Sequence, residues 1–420
     1  MIERVDLFQT KQDIVLFFLF VAVVLFYSLL IEYNNYKHFK AFDTVKIDAI
    51  VLKHYTKMKK AKKYYLLKMR SSDGVTFYTS VSKKYKNLQA QKVKYLGYVQ
   101  EISFLEYLRG FYLKGRISQV LPDQGVKYTL MQKIQQQHSD KDAQDIYKAL
   151  FLALPFGSEL QKIFSSLGVS HLIAISGLHI GIISALFYFL FRPFYSFFQS
   201  RYFPYRNYTR DAFVSLGVLL FCYTYFLDMP PSLLRSFGMF LIGYILYDRG
   251  FKIISMQTLF VSVVLLLAFF PRLLFSMGFF LSVAGVFYIF VFLKLFDGVK
   301  KVYIFLWLPF WIYLMMLPYS VVMFQNFSLL HPLSIVWSVV FNLFYPVSFA
   351  LHLFGFGDLF DGVLSSFIAM GKIKSEVDVS VWWLGGAVLL SLLTLYKRWF
   401  AYLLVLCNLC LFIVVIEQVA

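Results

Sequence analysis

The chain carries little charge, and little of that is acidic. Only 15% of its 420 residues are charged, with 23 aspartates and glutamates against 41 lysines and arginines, for a net charge of +18. A chain that is 59% apolar and 20% aromatic, with so few charges, is not a soluble enzyme with a large core. Its repeated apolar runs describe a polytopic membrane protein. Cysteine is rarer still: Cys222, Cys407 and Cys410 all sit inside apolar runs and read as small buried side chains. Neither H-E-x-x-H nor H-x-x-E-H occurs, so no histidine belongs to a recognisable zinc motif, and no metal or other cofactor is expected.

Apolar runs fill most of what is present. Residues 14–31 are too long for the apolar part of a secretory signal, and Tyr33-Asn34-Asn35 is a poor cleavage site, so this run reads as a retained span. Residues 168–191 follow, then runs at 212–227, 232–247, 253–270, 273–296, 302–317, 332–354, 381–396 and 400–416. Together they make about ten spans near the ~20 residues a bilayer requires. With the amino terminus in the cytoplasm, the loops holding Arg192 to Arg210, Arg249 with Lys252, and Lys300 with Lys301 fall inside, as the positive-inside bias asks. The rule fails at Lys397 and Arg398, unless residues 357–371 cross or dip into the membrane.

Residues 33–112 are soluble in character. Short β-forming stretches at 45–53, 63–70, 75–81 and 92–99, with Ser72-Asp73-Gly74 as a turn, predict a small sandwich or barrel, an OB-like barrel being one candidate. Lys57, Lys59, Lys60, Lys62, Lys63, Lys83, Lys84 and Lys86 are interleaved with Tyr64 and other tyrosines. A single-strand groove needs charge for phosphates and rings for bases. The same lysines equally suit a solvated face or attraction to anionic lipid, and strand tyrosines are commonly core. Residues 113–167 read as an amphipathic helical connector lying along the membrane.

The run at 168–191 is expected to form one buried helix. Gly177 and Gly181 make a G-x-x-x-G pair that admits close packing, and Ser170 and Ala174 repeat the spacing. His171 and His179 come about 80° apart on such a helix and can share a face with Ser176, turned toward the bundle interior or a wet cavity. A serine nucleophile with a histidine base can be drawn there, but no G-x-S-x-G elbow and no orienting acid accompany it. In residues 229–239, MPPSLLRSFGM, Pro230 and Pro231 break the chain and Arg235 falls in the first turn or so of the next helix. That arginine either snorkels to the interface or lines a polar passage where it could meet a phosphate.

HLIAISGLHIG, residues 171–181, resembles the motif of the ComEC competence family, bacterial inner-membrane channels for transforming DNA. The resemblance continues in order. Residues 230–239 match a P-S-x-x-R-A-x-x-M block, with Ser236 where alanine is usual. Residues 271–286 match a block in which Gly278, Phe279, Leu281, Ser282 and Ala284 fit and Phe280 replaces glutamine. Residues 331–346 carry Asn342 and Pro346 of a fourth block. The resemblance implies a periplasmic OB-like domain ahead of a multi-pass inner-membrane channel that passes single-stranded DNA. It also implies a periplasmic DNA receptor and a cytoplasmic DNA-pulling ATPase as partners beside membrane lipids, and a second copy of the chain is a further candidate partner. Many members carry a metallo-β-lactamase-like domain; its H-x-H-x-D-H cluster is missing here, so degradation of the outer strand would fall to another protein.

The expected organisation is therefore an N-terminal span (1–32), a basic OB-like extracytoplasmic domain (33–112), a helical connector (113–167) and a transmembrane channel domain (168–420). His171, Ser176, Gly177, His179, Gly181, Pro231, Arg235, Ser282 and Asn342 are the residues expected to shape the passage, without covalent chemistry. Two other readings stay open: a small-solute or lipid-precursor transporter, which also uses broken helices, and an intramembrane hydrolase on Ser176 and His179.

Overall fold

The computed structural model describes residues 7–419 apart from 60–61, 73, 82–87, 89–90, 100–101, 122–124, 155 and 372–374. Helix α1 (Lys11–Lys40) starts on a capping box in which Thr10 and Asp13 satisfy each other's backbone N–H groups. At its start the Leu7 N–H donates to Gln257 Oε1, and near its end the Tyr36 hydroxyl donates to the Ile102 carbonyl at 2.6 Å.

Beyond α1 the chain alternates apolar and polar residues, and forms β1 (Thr44–Lys59), β2 (Lys62–Ser71), β3 (Thr76–Val81), β4 (Lys92–Tyr98), α2 (Phe104–Arg109), β5 (Phe111–Tyr112) and β6 (Lys114–Leu121). The strands lie in the order β5-β3-β2-β1-β4-β6. Only Leu113 separates β5 from β6. This one segment pairs parallel with β3 and then antiparallel with β4, which closes the sheet into a barrel and removes its open edges. Val51, Leu67, Met69, Phe77, Val93 and Leu113 fill it with no exposed surface. A Cβ at Gly115 would run into the Leu96 carbonyl, so the close strand crossing there needs glycine. Strands appear where the sequence places them, and the barrel runs on past residue 112 to Leu121.

The connector folds as α3 (Val126–Gln137), α4 (Lys141–Leu152), α5 (Ser158–Ser166) and the single turn α6 (Ser170–Ile173). The remaining helices are α7 (Gly177–Tyr202), α8 (Tyr208–Phe226), α9 (Pro231–Asp248), α10 (Met256–Phe269), α11 (Met277–Leu295), α12 (Lys301–Phe324), α13 (Ser334–Phe354), α14 (Asp361–Met370), α15 (Val381–Leu393) and α16 (Trp399–Val419). Two short strands, β7 (Asn326–Phe327) and β8 (Ser375–Glu376), flank α13 and α14. Among the described residues six helical stretches are long and apolar enough to cross a bilayer: α1, α7, α11, α12, the stretch His331–Phe354 that contains α13, and α16. Helices α10 and α15 are apolar but only 14 and 13 residues long. Six stretches meet that length among the described residues, beside the about ten spans expected from the apolar runs.

The single buried helix expected over 168–191 does not form. The chain turns once as α6, runs extended through Ala174 and Ser176, and restarts as α7. The break is held from outside, because the Ile175 carbonyl accepts from the Ser232 hydroxyl at 2.6 Å. His171 and His179 therefore sit on different helices. Only His179 and Ile180 of α7 are buried; the rest of the helix faces outward or is half-covered, and a Cβ at Gly181 would touch nothing.

Strand β7 pairs with β8, so the chain between them returns to the place it left. Helix α13 runs out and α14 comes back antiparallel along it, with Phe344 against Phe360 and Trp337 against Phe367. Residues 328–371 are thus an out-and-back hairpin, and α15 departs from the end at which α12 arrives. The turn after α15 then lands beside Met256 and Lys294, where a small cavity is lined also by Tyr396 and Arg398. Lys397 and Arg398 join the end of the bundle that holds Lys294, which removes the violation of the charge rule in the sequence.

Candidate functional site

Three helices begin close to one another: α7 at Gly177, α9 at Pro231 and α11 at Met277. On α9, Ser232, Arg235 and Ser236 share one face, as positions three and four apart must. Ser232 holds the α6–α7 break. The Ser236 hydroxyl donates to the Ser232 carbonyl at 2.9 Å and stands against Gly177, where a Cβ would lie 3.0 Å from it. Arg235 is 3% exposed and donates from Nη1 to the Gly278 carbonyl at 2.7 Å. Its Nε has no partner. Among the described residues no carboxylate pairs with this guanidinium.

His179 is fully buried. Its Nδ1 accepts from the Ser176 N–H at 3.2 Å, while the Ser176 hydroxyl accepts from the α7 backbone, which makes a capping box with histidine in the third position. In the neutral ring the proton is then on Nε2, which has no hydrogen-bond partner and lies among Phe341 and Tyr345, the latter edge-on at 4.6 Å. The Tyr345 hydroxyl lies 3.5 Å from that of Tyr223 on α8. His171 is exposed, with Nε2 3.4 Å from the Ser338 hydroxyl on α13.

The blocks singled out in the sequence thus meet: the first touches the second through Ile175–Ser232 and Gly177–Ser236, the second touches the third through Arg235–Gly278, and the first touches the fourth through His171 and His179. Not every expected residue takes part. Gly181 faces open space, Asn342 is exposed on α13, and Ser282 is half-buried one turn past Gly278. Phe280, where glutamine was expected, is 45% exposed and turned away from buried Phe279. Ser232, Tyr223 and Tyr345 escaped the sequence reading, since a polar residue on an apolar helix does not reveal which helix it faces.

The barrel is tied down at the corner where α8 ends. Arg70 Nη1 donates to the Asp228 carbonyl at 2.8 Å, and Lys127 Nζ lies 2.6 Å from Asp228 Oδ2. Burial holds the Arg70 guanidinium below the usual arginine range, with Asp228 opposing that shift and Arg272 adding to it. Asp228 and Met229 have φ of +62° and +48°, a region non-glycine residues rarely adopt. Arg272 pairs with Glu32 of α1 at 2.7 Å and lies over the Tyr107 ring.

Of the lysines expected to meet nucleic acid, Lys57 and Lys59 lie in β1 and Lys62, Lys63 and Tyr64 in β2, with Lys57 in register with Tyr64 and Lys59 with Lys62. Lys60, Lys83, Lys84 and Lys86 lie outside the described residues. A second basic face is fully described. On β4, Lys92, Lys94 and Tyr98 point outward while Val93 and Tyr95 point in. Exposed Lys46 of β1 and exposed Arg116 of β6 flank Leu96, and exposed Lys114 stands opposite Tyr98. The alternation in KVKYLGY was the signal for it.

Comparison with known proteins places residues 156–418 in a match to the family model described as "Competence protein". The chain is 26% identical over 186 residues to an uncharacterized protein of Aquifex aeolicus, 42% of this chain and 40% of that protein. It is 34% identical over 148 residues to ComE operon protein 3 of Bacillus subtilis, 34% of this chain and 17% of that one. The matches span well under two thirds of either relative. No solved structure matches.

Proposed function

We propose that this chain, which belongs to the competence protein family, conducts single-stranded DNA across the cytoplasmic membrane during natural transformation. The observation that carries the reading is Arg235. A buried guanidinium without a counter-charge costs several kcal/mol, and a neutral donor could tether Gly278 as well. A cation held at the junction of the family's sequence blocks, on the helix that follows the Asp228 corner to which the barrel is tied, is suited to a passing phosphate. The barrel's strand order, with the third strand beside a parallel last strand, supports the OB-like reading, and it extends the extracytoplasmic domain to about residue 121. Its exposed Lys46, Lys94, Lys114 and Arg116, together with Tyr98, are suited to phosphate and base contacts.

In this reading His171, Ser176, Gly177, His179, Pro231 and Arg235 shape the entry, and the protein is a channel that works with a DNA receptor outside and a DNA-pulling ATPase inside. The capping box accounts for the Ser176–His179 pair without a nucleophile. The broken α6–α7 segment favours one rival, a small-solute or lipid-precursor transporter.

The test follows labelled duplex DNA into competent cells, with the outer and inner compartments assayed separately. In cells carrying Arg235→Gln at normal protein level, label should collect outside the inner membrane. Normal entry in that strain would remove the reading. Deleting the barrel, residues 42–121, should likewise block DNA, whereas a solute transporter needs no such barrel.

A further inference from the structure

Three titratable side chains far apart in sequence meet where the connector touches the tip of the α13–α14 hairpin. His138 lies between α3 and α4, His352 in the last turn of α13, and Asp361 at the start of α14. His138 Nδ1 is 2.9 and 3.0 Å from the two carboxylate oxygens of Asp361. Its Nε2 is 2.9 Å from Nε2 of His352, whose Nδ1 is 2.7 Å from the Ser348 carbonyl. His138 is 4% exposed, the Tyr147 ring stacks on it at 4.5 Å, and Phe151 closes on His352.

The protons in this row can be counted. A carbonyl only accepts, so His352 Nδ1 carries one. Two ring nitrogens at hydrogen-bond distance need one between them, because two lone pairs would repel. The contact between His138 Nδ1 and Asp361 needs a third, on nitrogen or on oxygen. Three protons are one more than a carboxylate and two neutral imidazoles hold together, and they make the cluster neutral wherever the extra one sits. We infer that His138, His352 and Asp361 form a binding site for a single proton, and that the bound proton is the clasp that fastens the connector to the hairpin.

Loss of that proton leaves the half-buried Asp361 carboxylate uncompensated and one contact with no hydrogen in it, and at buried His138 the second is costly. The surroundings do not replace it. Among the described residues Tyr147 of α4 is the further titratable group packed on the cluster. From α3, Gln137 joins the His352 carbonyl to the Gly357 N–H, and Gln144 of α4 donates to the His138 carbonyl. A metal ion is the rival occupant, since each Nδ1 is oriented by an oxygen as in ligating histidines. Two zinc–nitrogen bonds of about 2.0–2.1 Å at a tetrahedral angle would hold the nitrogens roughly 3.3 Å apart, however, and Asp361 lies on Nδ1 of His138, away from the Nε2 pair that such an ion would bridge. Helix α3 starts at the Lys127–Asp228 pair, so the clasp sits on the element that links the barrel corner to the hairpin.

Because the clasped form binds the proton, its share rises as pH falls and drops as pH rises. The test uses the full chain in lipid nanodiscs, with Cys222, Cys407 and Cys410 replaced by serine and spin labels at Lys133→Cys on α3 and Ser365→Cys on α14, both exposed positions. At about pH 5.5 the distance distribution should show one population, and by about pH 8.5 a second, broader one should hold a substantial share, across the range in which imidazoles change charge. Asp361→Asn, whose amide N–H can donate to Nδ1 of His138 so that two neutral imidazoles complete all three contacts, should flatten that response. An unchanged distribution over this range in the parent protein overturns the inference, and so does a full pH response in the Asp361→Asn protein. If a chelator opens the clasp at low pH, or zinc closes it at high pH, the occupant is a metal and the proton site is wrong.

Discussion

Gly177 and Ser236 are fitted to each other: a Cβ on the first would lie 3.0 Å from the hydroxyl of the second and 3.8 Å from its Cβ. The hydroxyl cannot move freely, because it donates to the Ser232 carbonyl. Gly177→Ala should therefore cost about 1–3 kcal/mol, as overpacking does. Adding Ser236→Ala should recover much of that loss, a non-additivity expected of residues that touch. Thermal unfolding of the two single variants and the double variant measures the coupling; strictly additive losses would show that the two do not touch.

Ser176→Ala separates a cap from a nucleophile. It removes the acceptor for the α7 backbone and should lower stability by about 0.5–2 kcal/mol, with DNA entry reduced no more than protein level is. A hydrolase built on Ser176 would lose all activity at unchanged protein level. Compartment-resolved uptake beside a thermal melt distinguishes the two.

The β4 face predicts a salt signature. Lys94→Ala with Arg116→Ala, in the full-length protein, should weaken single-stranded DNA binding for every sequence alike. It should also flatten the logarithmic salt dependence by about 1.4, at about 0.7 for each phosphate that is no longer neutralised. Tyr98→Ala should cost about 1–3 kcal/mol of affinity by removing a stacking ring, and should leave that slope unchanged. An unaltered slope in the double variant would place the DNA elsewhere on the barrel.

Tyr95 gives the barrel an alkaline limit. Its hydroxyl, bonded to Thr79 and to the Leu113 carbonyl, is pushed up to about 12 by burial. The folded form keeps a proton that the unfolded chain releases near 10, so this stabilisation is complete below about pH 10 and is lost as pH rises toward 12. Alkaline unfolding of the barrel should coincide with the appearance of tyrosinate absorbance. Tyr95→Phe should be less stable at neutral pH, by about 1–3 kcal/mol for the partners it leaves unsatisfied, and should lose that pH dependence.

Much of the architecture was legible because it rests on local pattern. Alternation such as KVKYLGY announced strands, Ser-Asp-Gly announced their turn, and apolar runs announced most of the helices to within a few residues. The blocks around Gly177 and Arg235 were visible as unusual residues in apolar stretches, and those around Gly278 and Asn342 through the family resemblance. Hydropathy could not tell a span from the α13–α14 hairpin, since both are apolar. The hairpin is defined by the pairing of Asn326 with Glu376, 50 positions apart.

What the sequence by itself determined, then, is which segments leave water and which stay in it, because transfer free energy is a property of the residues in a run. Which side chains meet was decided only by the tertiary structure. Residues 168–191 read as one apolar run, yet the helix restarts at the Ser176–His179 capping box, and Ser232, from another helix, takes the Ile175 carbonyl at the break. His138, His352 and Asp361 become one site only when the connector lies against the hairpin tip. Contacts of that kind join residues far apart along the chain, and no local periodicity encodes them.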